Sequence, residues 1–274
     1  ISLCFLLCCI VSSIYARRYW KQRKRARLLA MEVPDFIGKS APTLEDILND
    51  PDIPRLAWEE VVIGERIGKG ASGIVSKGIW KKNKDSHKEV ALKELILGFQ
   101  ELEAETFEEF LKEIKYMSAL KHPHVVEFYG ICFPPDFSTL YLVTELMHRG
   151  TVRGILQYKN ENLPAKIRLK LAKEAAKGMD YLHKKKLIHR DLKTDNLLVN
   201  EEWTCKVADF GISTVRPTIT RAMTCIGTPV YMAPEVLSLN KYSEKADVYS
   251  FGIVLWEIFT GNRPYDDDEY RTMN

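Results

Sequence analysis

Hydrophobic and polar positions change their spacing along the chain, and the change predicts several secondary-structure elements. Residues 61–67 and 74–80 are rich in strand-forming side chains and predict two β-strands. Apolar runs at residues 90–93 and 141–147 predict two more strands. Residues 106–120 instead repeat apolar side chains every three or four positions, which predicts an amphipathic helix with Phe107, Phe110, Leu111, Ile114, Met117 and Leu120 on one face.

The order of the elements predicts one α+β domain over residues 56–274, with a small β-rich lobe before a larger helical lobe. A chain of 274 residues is long enough for such a domain and a short extension. Ahead of residue 56, the prolines at positions 34, 42, 51 and 54 interrupt any long helix. We therefore expect a linker there.

The N-terminus combines an apolar run with a basic block. Residues 1–15 carry no charge, and a bilayer-spanning helix needs about 20 apolar residues. Because the positive charges follow the apolar run, residues 1–16 are predicted to be part of a single transmembrane helix, with the remainder of the chain on the cytosolic side. Residues 17–55 then form a basic juxtamembrane segment and linker that binds anionic membrane lipids. A buried core element is the alternative interpretation of residues 1–15.

Charge and cysteine usage exclude other classes. The block holds seven basic residues and no acid, and removing it from the net charge of +3 leaves −4 for the rest, which argues against nucleic-acid binding. Its members are Arg17, Arg18, Lys21, Arg23, Lys24, Arg25 and Arg27. The six cysteines show neither zinc-ligand spacing nor a disulfide framework, and free thiols suit a reducing cytosol.

The most specific chemical signal is the run His-Arg-Asp-Leu-Lys-Thr-Asp-Asn at residues 189–196, followed by Asp-Phe-Gly at 209–211. It provides an acid at Asp191, an amide at Asn196 and a second acid at Asp209. These groups can accept a proton from a hydroxyl nucleophile and hold a divalent metal against the phosphates of a nucleotide. An isolated Asp or Asn would more often be a turn or cap residue.

A glycine pattern lies upstream, between the two first predicted strands. Residues 68–75 read G-x-G-x-x-G-x-V, with glycines at Gly68, Gly70 and Gly73 directly after Ile67. Glycine lets backbone N–H groups close over phosphates, although a simple hairpin turn is also consistent with the pattern. A Rossmann fold would need a helix after the glycines, and the β-prone residues that follow argue against it.

Lys93 ends the predicted strand Val-Ala-Leu-Lys, and Glu113 lies near the apolar face of the predicted helix. If this helix packs on the predicted sheet, the Glu113 side chain can reach Lys93. Two alternatives stay open: Lys93 as a solvated surface charge, and Glu113 paired within its own helix to Lys112 or Lys115.

In combination, these motifs resemble those of eukaryotic protein kinases over roughly residues 56–270. The resemblance implies a two-lobed kinase fold, ATP and Mg²⁺ as cofactors, and protein substrates; it leaves the oligomeric state unknown. Asp191 would orient the acceptor hydroxyl, Lys193 would steady the γ-phosphate, and Asn196 and Asp209 would hold Mg²⁺. An ion pair with Glu113 would keep Lys93 on the α- and β-phosphates.

The resemblance also implies an adenine pocket. Thr144 would be the gatekeeper residue, and backbone groups of Glu145 and Met147 would bond the adenine edge. The ring would be sandwiched by apolar side chains and covered by the glycine loop; the residues so assigned are Val75, Ala91, Leu198, Ile67, Gly68, Gly70 and Gly73.

Lys193 and the run Gly-Thr-Pro-Val-Tyr-Met-Ala-Pro-Glu at 227–235 match serine/threonine kinases, whereas residues 247–257 look like tyrosine kinases. This mixture is similar to the tyrosine-kinase-like group of serine/threonine kinases, and the N-terminal apolar run adds the expectation of a membrane-anchored, receptor-like member. A tyrosine or dual-specificity kinase is one alternative. A pseudokinase scaffold is another, but it would need a missing catalytic group. The last helices of the family are absent before Asn274, so we expect a C-terminally truncated domain, for which an inactive fragment is a further alternative.

Overall fold

The computed structural model describes residues 50–70, 73–83, 86–95, 104–136, 139–159, 163–209, 229–237 and 243–264. The predicted membrane helix and basic block precede residue 50 and lie outside the described residues, as do Phe210, Gly211 and the end of the chain. Within the described ranges, no helix has the length and apolar content needed to cross a bilayer.

A five-stranded antiparallel sheet forms the first part of the domain. Its strands are β1 (Val61–Gly70), β2 (Gly73–Asn83), β3 (Ser86–Leu95), β4 (Phe128–Cys132) and β5 (Leu140–Glu145), in the order β1-β2-β3-β5-β4. All four strands predicted from the apolar runs are confirmed. The predicted strand at 141–147 ends earlier, at Glu145, so that Met147 lies just beyond it.

Helix α1 (Ala104–Ala119) crosses between β3 and β4 and confirms the predicted amphipathic helix. Its buried side chains include Ile114, which is completely buried, and Met117. Both belong to one large hydrophobic cluster that also holds Leu140 and Leu142 of β5. The apolar spacing read from the sequence therefore marks the face that packs on the rest of the domain.

The second part is mainly helical. It contains α2 (Val152–Lys159), α3 (Ala165–Lys184), α4 (Pro234–Leu237) and α5 (Glu244–Thr260), together with the small sheet β6 (Gly150–Thr151), β7 (Leu197–Val199) and β8 (Cys205–Val207). Helix α5 begins at the N-cap Ser243, whose hydroxyl accepts the N–H of Lys245, and ends at Gly261 in the left-handed region. A β-rich part followed by a helical part agrees with the predicted α+β fold class.

The packed fold extends ahead of residue 56, where the predicted linker was placed. Ile53 is only 3% exposed and Leu56 only 6% exposed, because both side chains join hydrophobic clusters of the domain. Pro54 and Arg55 between them are exposed, and the two buried side chains enter different hydrophobic clusters.

Candidate active site

The glycine pattern forms the turn between β1 and β2. Gly68 lies opposite Val75, and Gly70 lies opposite Gly73, in an antiparallel ladder. Gly73 has a φ of 128°, and a Cβ atom at this position would collide with the carbonyl oxygen of Glu94. Only glycine fits there. Because a strand follows the turn, the Rossmann interpretation is excluded, as the sequence predicted.

Strand register brings the predicted nucleotide residues onto one face of the sheet. Val75 lies opposite Lys93 across β2 and β3, and Ala91 lies opposite Thr144 across β3 and β5. Directly opposed residues share a face, and so do residues two apart on one strand. Val75, Ala91, Lys93 and Thr144 therefore point to the same side, and Ile67 lies on the neighbouring strand β1 with an exposed side chain.

The segment after β5 connects this sheet to the second part of the domain. Met147 is buried in a small cluster with Val126 and Ala208, against which Leu198 of β7 packs. The backbone N–H of Glu145 donates to the carbonyl of Glu127 at 2.9 Å. Its own carbonyl accepts the Thr144 hydroxyl at 3.3 Å.

The Glu145 side chain has a partner that the sequence did not reveal. Both of its carboxylate oxygens accept the ammonium of Lys206 on β8, each at 2.7 Å, and both side chains are largely buried. This ion pair ties the end of β5 to the small sheet. A charged residue at the end of an apolar strand was the available signal, but its partner lies 61 residues away in the sequence.

Lys93 and Asp209 form an ion pair at the junction of the two parts. Lys93 Nζ lies 2.6 Å from Asp209 Oδ1, and the lysine side chain is 10% exposed. Desolvation alone would raise the pKa of Asp209, but attraction and a hydrogen bond from Lys93, with help from His189 and Lys193, hold that pKa below its ordinary value. Lys93 is therefore not the solvated surface charge that the sequence left open.

Glu113 is half-buried on α1, with its Oε2 atom buried. Among the described residues, the acid bonded to the Lys93 ammonium is Asp209, so the Lys93–Glu113 pair stays a prediction. Lys115, one of the open intrahelical partners for Glu113, instead pairs with Asp50 at 2.5 Å.

The catalytic loop brings Asp191, Lys193 and Asn196 together. Lys193 Nζ lies 3.0 Å from Asp191 Oδ2. The Asn196 amide nitrogen donates to the Asp191 carbonyl at 2.7 Å and approaches Oδ2 at 3.3 Å. The backbone N–H of Ala208 donates to the Asn196 carbonyl at 2.9 Å, which places Asp209 beside the loop. The residues that the sequence grouped by motif thus form one site.

Asp247 on α5 holds the start of the catalytic loop by hydrogen bonds to its backbone, and the sequence analysis missed this role. The carboxylate is 1% exposed and accepts the backbone N–H groups of His189, at 2.8 Å, and Arg190, at 3.0 Å. His183 Nε2 lies 2.8 Å from the same group. Arg190 has a φ of 67°, an unfavourable conformation that these bonds help to hold. An acid within an apolar helix was the signal in the sequence.

A second buried acid, Glu257, holds the middle of the loop. It is fully buried and accepts the hydroxyls of Thr194, at 2.8 Å, and Tyr231, at 2.6 Å, while Arg153 pairs with its other oxygen at 3.1 Å. Burial raises the pKa of Glu257 against the opposing effect of these partners. Thr194 lies between Lys193 and Asn196, so Glu257 positions both, and this too was missed.

The oxygen donors fit Mg²⁺. Because the Asn196 nitrogen is turned to Asp191, its amide oxygen is directed to the opposite side, and Asp209 keeps its Oδ2 in addition to the oxygen bonded to Lys93. Mg²⁺ is usually held by one or two such ligands together with substrate phosphates. Within the described residues there is no cluster of three or more His, Cys, Asp or Glu side chains for a site built by the protein alone.

Comparison with known families gives a match over most of the chain. The family described as protein tyrosine and serine/threonine kinase matches residues 61–273. The match begins at the first residue of β1 and includes every residue of the site described above.

Curated relatives carry related names. The probable serine/threonine-protein kinase SIS8 of Arabidopsis thaliana is 42% identical over 77% of this chain and 20% of its own length. The Arabidopsis serine/threonine-protein kinase CTR1 is 41% identical over 79% of this chain and 26% of its own. The dual specificity protein kinase shkC of Dictyostelium discoideum is 38% identical over 77% of this chain and 41% of its own. The chain thus spans a fifth to two fifths of the length of these relatives.

Proposed function

Since the chain belongs to the family of protein tyrosine and serine/threonine kinases, we propose that it transfers the γ-phosphoryl group of ATP to Ser or Thr hydroxyls of protein substrates. We place it in the tyrosine-kinase-like group of serine/threonine kinases, because its relatives at about 40% identity include proteins named serine/threonine-protein kinases. The complete set of catalytic groups argues against a pseudokinase scaffold.

The observation that carries the proposal is the geometry around Asp191. Lys193 Nζ and the Asn196 amide both approach Asp191 Oδ2, at 3.0 and 3.3 Å, and Asn196 also bonds the Asp191 carbonyl. These bonds fix the carboxylate, and we propose that it orients an incoming hydroxyl. Lys193 beside the acid provides a positive charge for the transferred phosphoryl group. A lysine at this place is typical of kinases that act on Ser and Thr.

In the proposed reaction, one oxygen–phosphorus bond forms as another breaks. Asp191 orients the substrate hydroxyl and accepts its proton as the new oxygen–phosphorus bond forms. The bond from the γ-phosphorus to the bridging oxygen breaks, and ADP leaves with both electrons of that bond. Lys93 and the glycine turn hold the phosphates in line, so most of the rate comes from positioning and charge stabilisation.

Mg²⁺, when bound, neutralises phosphate charge and orients the γ-phosphoryl group. Asn196 and Asp209 would hold it. Asp209 suits this role because Lys93 and its other basic neighbours keep it ionised, as its lowered pKa indicates. The hydrogen bond from Ala208 N–H to the Asn196 carbonyl fixes the spacing of the two ligands.

A dual-specificity kinase is the second candidate. The relative shkC is named a dual specificity protein kinase and is 38% identical over 77% of this chain. The distances in the site do not distinguish Ser or Thr from Tyr as the acceptor. The phosphorylated amino acids in the products therefore have to be identified. Incubation of the purified protein with radiolabelled ATP and a mixed Ser, Thr and Tyr protein substrate, followed by phosphoamino-acid analysis, separates the candidates. We expect phosphoserine and phosphothreonine; a major phosphotyrosine product would favour the second candidate.

The sequence of the N-terminal region supports a proposal about where in the cell the protein lies. The apolar residues 1–16 and the seven basic residues behind them support a single-pass membrane protein with a cytosolic kinase domain. Each basic residue contributes about 1 kcal/mol near an anionic leaflet. A peptide of residues 16–30 should bind phosphatidylserine vesicles and dissociate in high salt. Absent or salt-independent binding would reject the electrostatic contribution.

A further inference from the structure

Residues 50–57, here called the N-terminal brace, lie ahead of the family match, which starts at residue 61. They nevertheless belong to the packed domain. Ile53 and Leu56 are buried to 3% and 6% exposure, while Pro51, Asp52, Pro54 and Arg55 are exposed. The two buried side chains enter different hydrophobic clusters, so the brace packs on the domain at two points, which a simple linker does not need.

The brace extends the main sheet at its β4 edge. Leu56 N–H donates to the Ile131 carbonyl and Ile131 N–H donates to the Pro54 carbonyl, both at 2.9 Å, around a parallel bridge from Arg55 to Ile131. Gly130 makes this approach possible. It has a φ of 147°, and a Cβ atom there would collide with the Pro54 carbonyl oxygen.

The same brace contacts helix α1. Asp50 pairs with Lys115 at 2.5 Å, and the Asp52 carbonyl lies 3.1 Å from the Ser118 hydroxyl, which also donates to the Lys115 carbonyl at 2.8 Å. Between these polar contacts, Ile53 enters the hydrophobic cluster that contains Ile114 and Met117 of α1. The brace therefore fixes the helix to the sheet edge through both polar and apolar contacts.

Helix α1 also carries Glu113, which directly precedes the completely buried Ile114. Any displacement of α1 moves Glu113 relative to Lys93 on β3. A shift of about 1 Å in a group that positions reacting atoms can cost on the order of 100-fold in rate. Helix α1 thus carries both the residues that contact the brace and Glu113, the residue expected to act on Lys93.

We propose that the N-terminal brace is a positioning element of the kinase site: it holds α1 in the place from which Glu113 acts on Lys93. The proposal rests on the kinase function proposed above. Its consequence is that the catalytic unit begins near Asp50 and not at the start of the family match.

The test truncates the apolar anchor of the brace. Ile53→Ala should speed hydrogen exchange of backbone amides in α1 and lower kcat about 10-fold, at a temperature where the variant is folded. Ile53→Val keeps most of the contact, so its exchange rate and kcat should lie between those of the unaltered protein and those of Ile53→Ala. If Ile53→Ala fails to fold, the comparison is made with Ile53→Val alone. Arg55→Ala removes an exposed side chain and should change neither quantity.

A double-mutant cycle separates positioning from general destabilisation. If the brace acts through Glu113, Ile53→Ala should cost little more once Glu113→Gln is present. Leu171→Ala, which truncates a fully buried side chain of α3, should lower stability but remain additive with Glu113→Gln.

Equal losses from Ile53→Ala in the two backgrounds, or unchanged exchange in α1, would overturn the proposal. If the unaltered protein transfers no phosphate under any condition, the kinase function fails, and the exchange of α1 still decides whether the brace holds the helix.

Discussion

Lys93 Nζ donates to Asp209 Oδ1 at 2.6 Å, across 116 residues of sequence. This bond joins the strand that faces the glycine turn to the acid expected to hold Mg²⁺. It gives the lysine a fixed position, since an ammonium that is 10% exposed needs a partner.

The first prediction concerns this pair. Lys93→Met and Asp209→Asn should each abolish transfer of phosphate from ATP to a protein substrate. Lys93→Met removes the positive charge that binds the phosphates, and Asp209→Asn removes a charged ligand of Mg²⁺. Circular dichroism should show a folded protein in both cases. Lys121→Met is the matched control, since this lysine pairs with Glu127 at the surface and is 67% exposed. Undiminished transfer by Lys93→Met would reject its role.

The second prediction concerns the anchor below the catalytic loop. Asp247→Asn replaces one of two accepting oxygens with a donor, so one backbone N–H of His189 or Arg190 loses its bond. We expect a loss of about 2 kcal/mol in the free energy of unfolding, measured with denaturant, and a lower kcat. Asp180→Asn, in an exposed pair with Lys184, should cost less than about 1 kcal/mol. Equal effects of the two substitutions would contradict the anchoring role.

The third prediction concerns Glu257. Thr194→Val preserves shape but removes the hydroxyl that Glu257 accepts, whereas Thr194→Ser preserves the hydroxyl. Thr194→Val should lower kcat with little change in KM for ATP, because the loop that carries Lys193 and Asn196 loses its support. Thr194→Ser should retain most of the activity. If both variants behave alike in steady-state kinetics, the hydrogen bond does not position the loop.

The fourth prediction follows from two buried thiols. Burial raises the pKa of Cys132 to about 11 and raises that of Cys205 further. Thiolate is the reactive form, and at pH 8 only about one Cys132 in a thousand would be ionised. Alkylation of Cys132, followed by peptide mass mapping, should therefore be much slower at pH 8 than alkylation of the unfolded protein, because the thiol is both protonated and buried. Alkylation at the same rate in the folded and the unfolded protein would show an ordinary, accessible thiol.

Local pattern predicted four of the strands and helix α1, and it grouped the candidate site residues that the fold brings together. The spacing of Phe107, Ile114 and Met117 predicted α1, and the motifs around Asp191 grouped residues that the fold brings together. These features depend on neighbours within a few residues, which the sequence displays directly. The sheet register that aligns Val75 with Lys93 agrees with the nucleotide roles inferred from the motifs.

Long-range polar contacts were not predictable in the same way. Asp247, Glu257 and Lys206 find their partners 26 to 104 residues away, and no periodicity encodes such pairings. What the sequence did contain was the anomaly of acids inside the largely apolar helix α5, and a buried charge requires a partner. The packing of Ile53 was missed because the surrounding prolines indicated only a break in helix, not which side chains would be covered.

The most direct test of the central claim compares the unaltered protein with Asp191→Asn, which keeps the size of the side chain but cannot accept the proton of a hydroxyl. Both are incubated with Mg²⁺, γ-labelled ATP and a protein substrate, and labelled amino acids are identified after hydrolysis. We predict phosphoserine and phosphothreonine from the unaltered protein, and a loss of at least about 100-fold in Asp191→Asn with nucleotide binding retained. Transfer that persists at the same rate in Asp191→Asn, or its complete absence in the unaltered protein, would contradict the account.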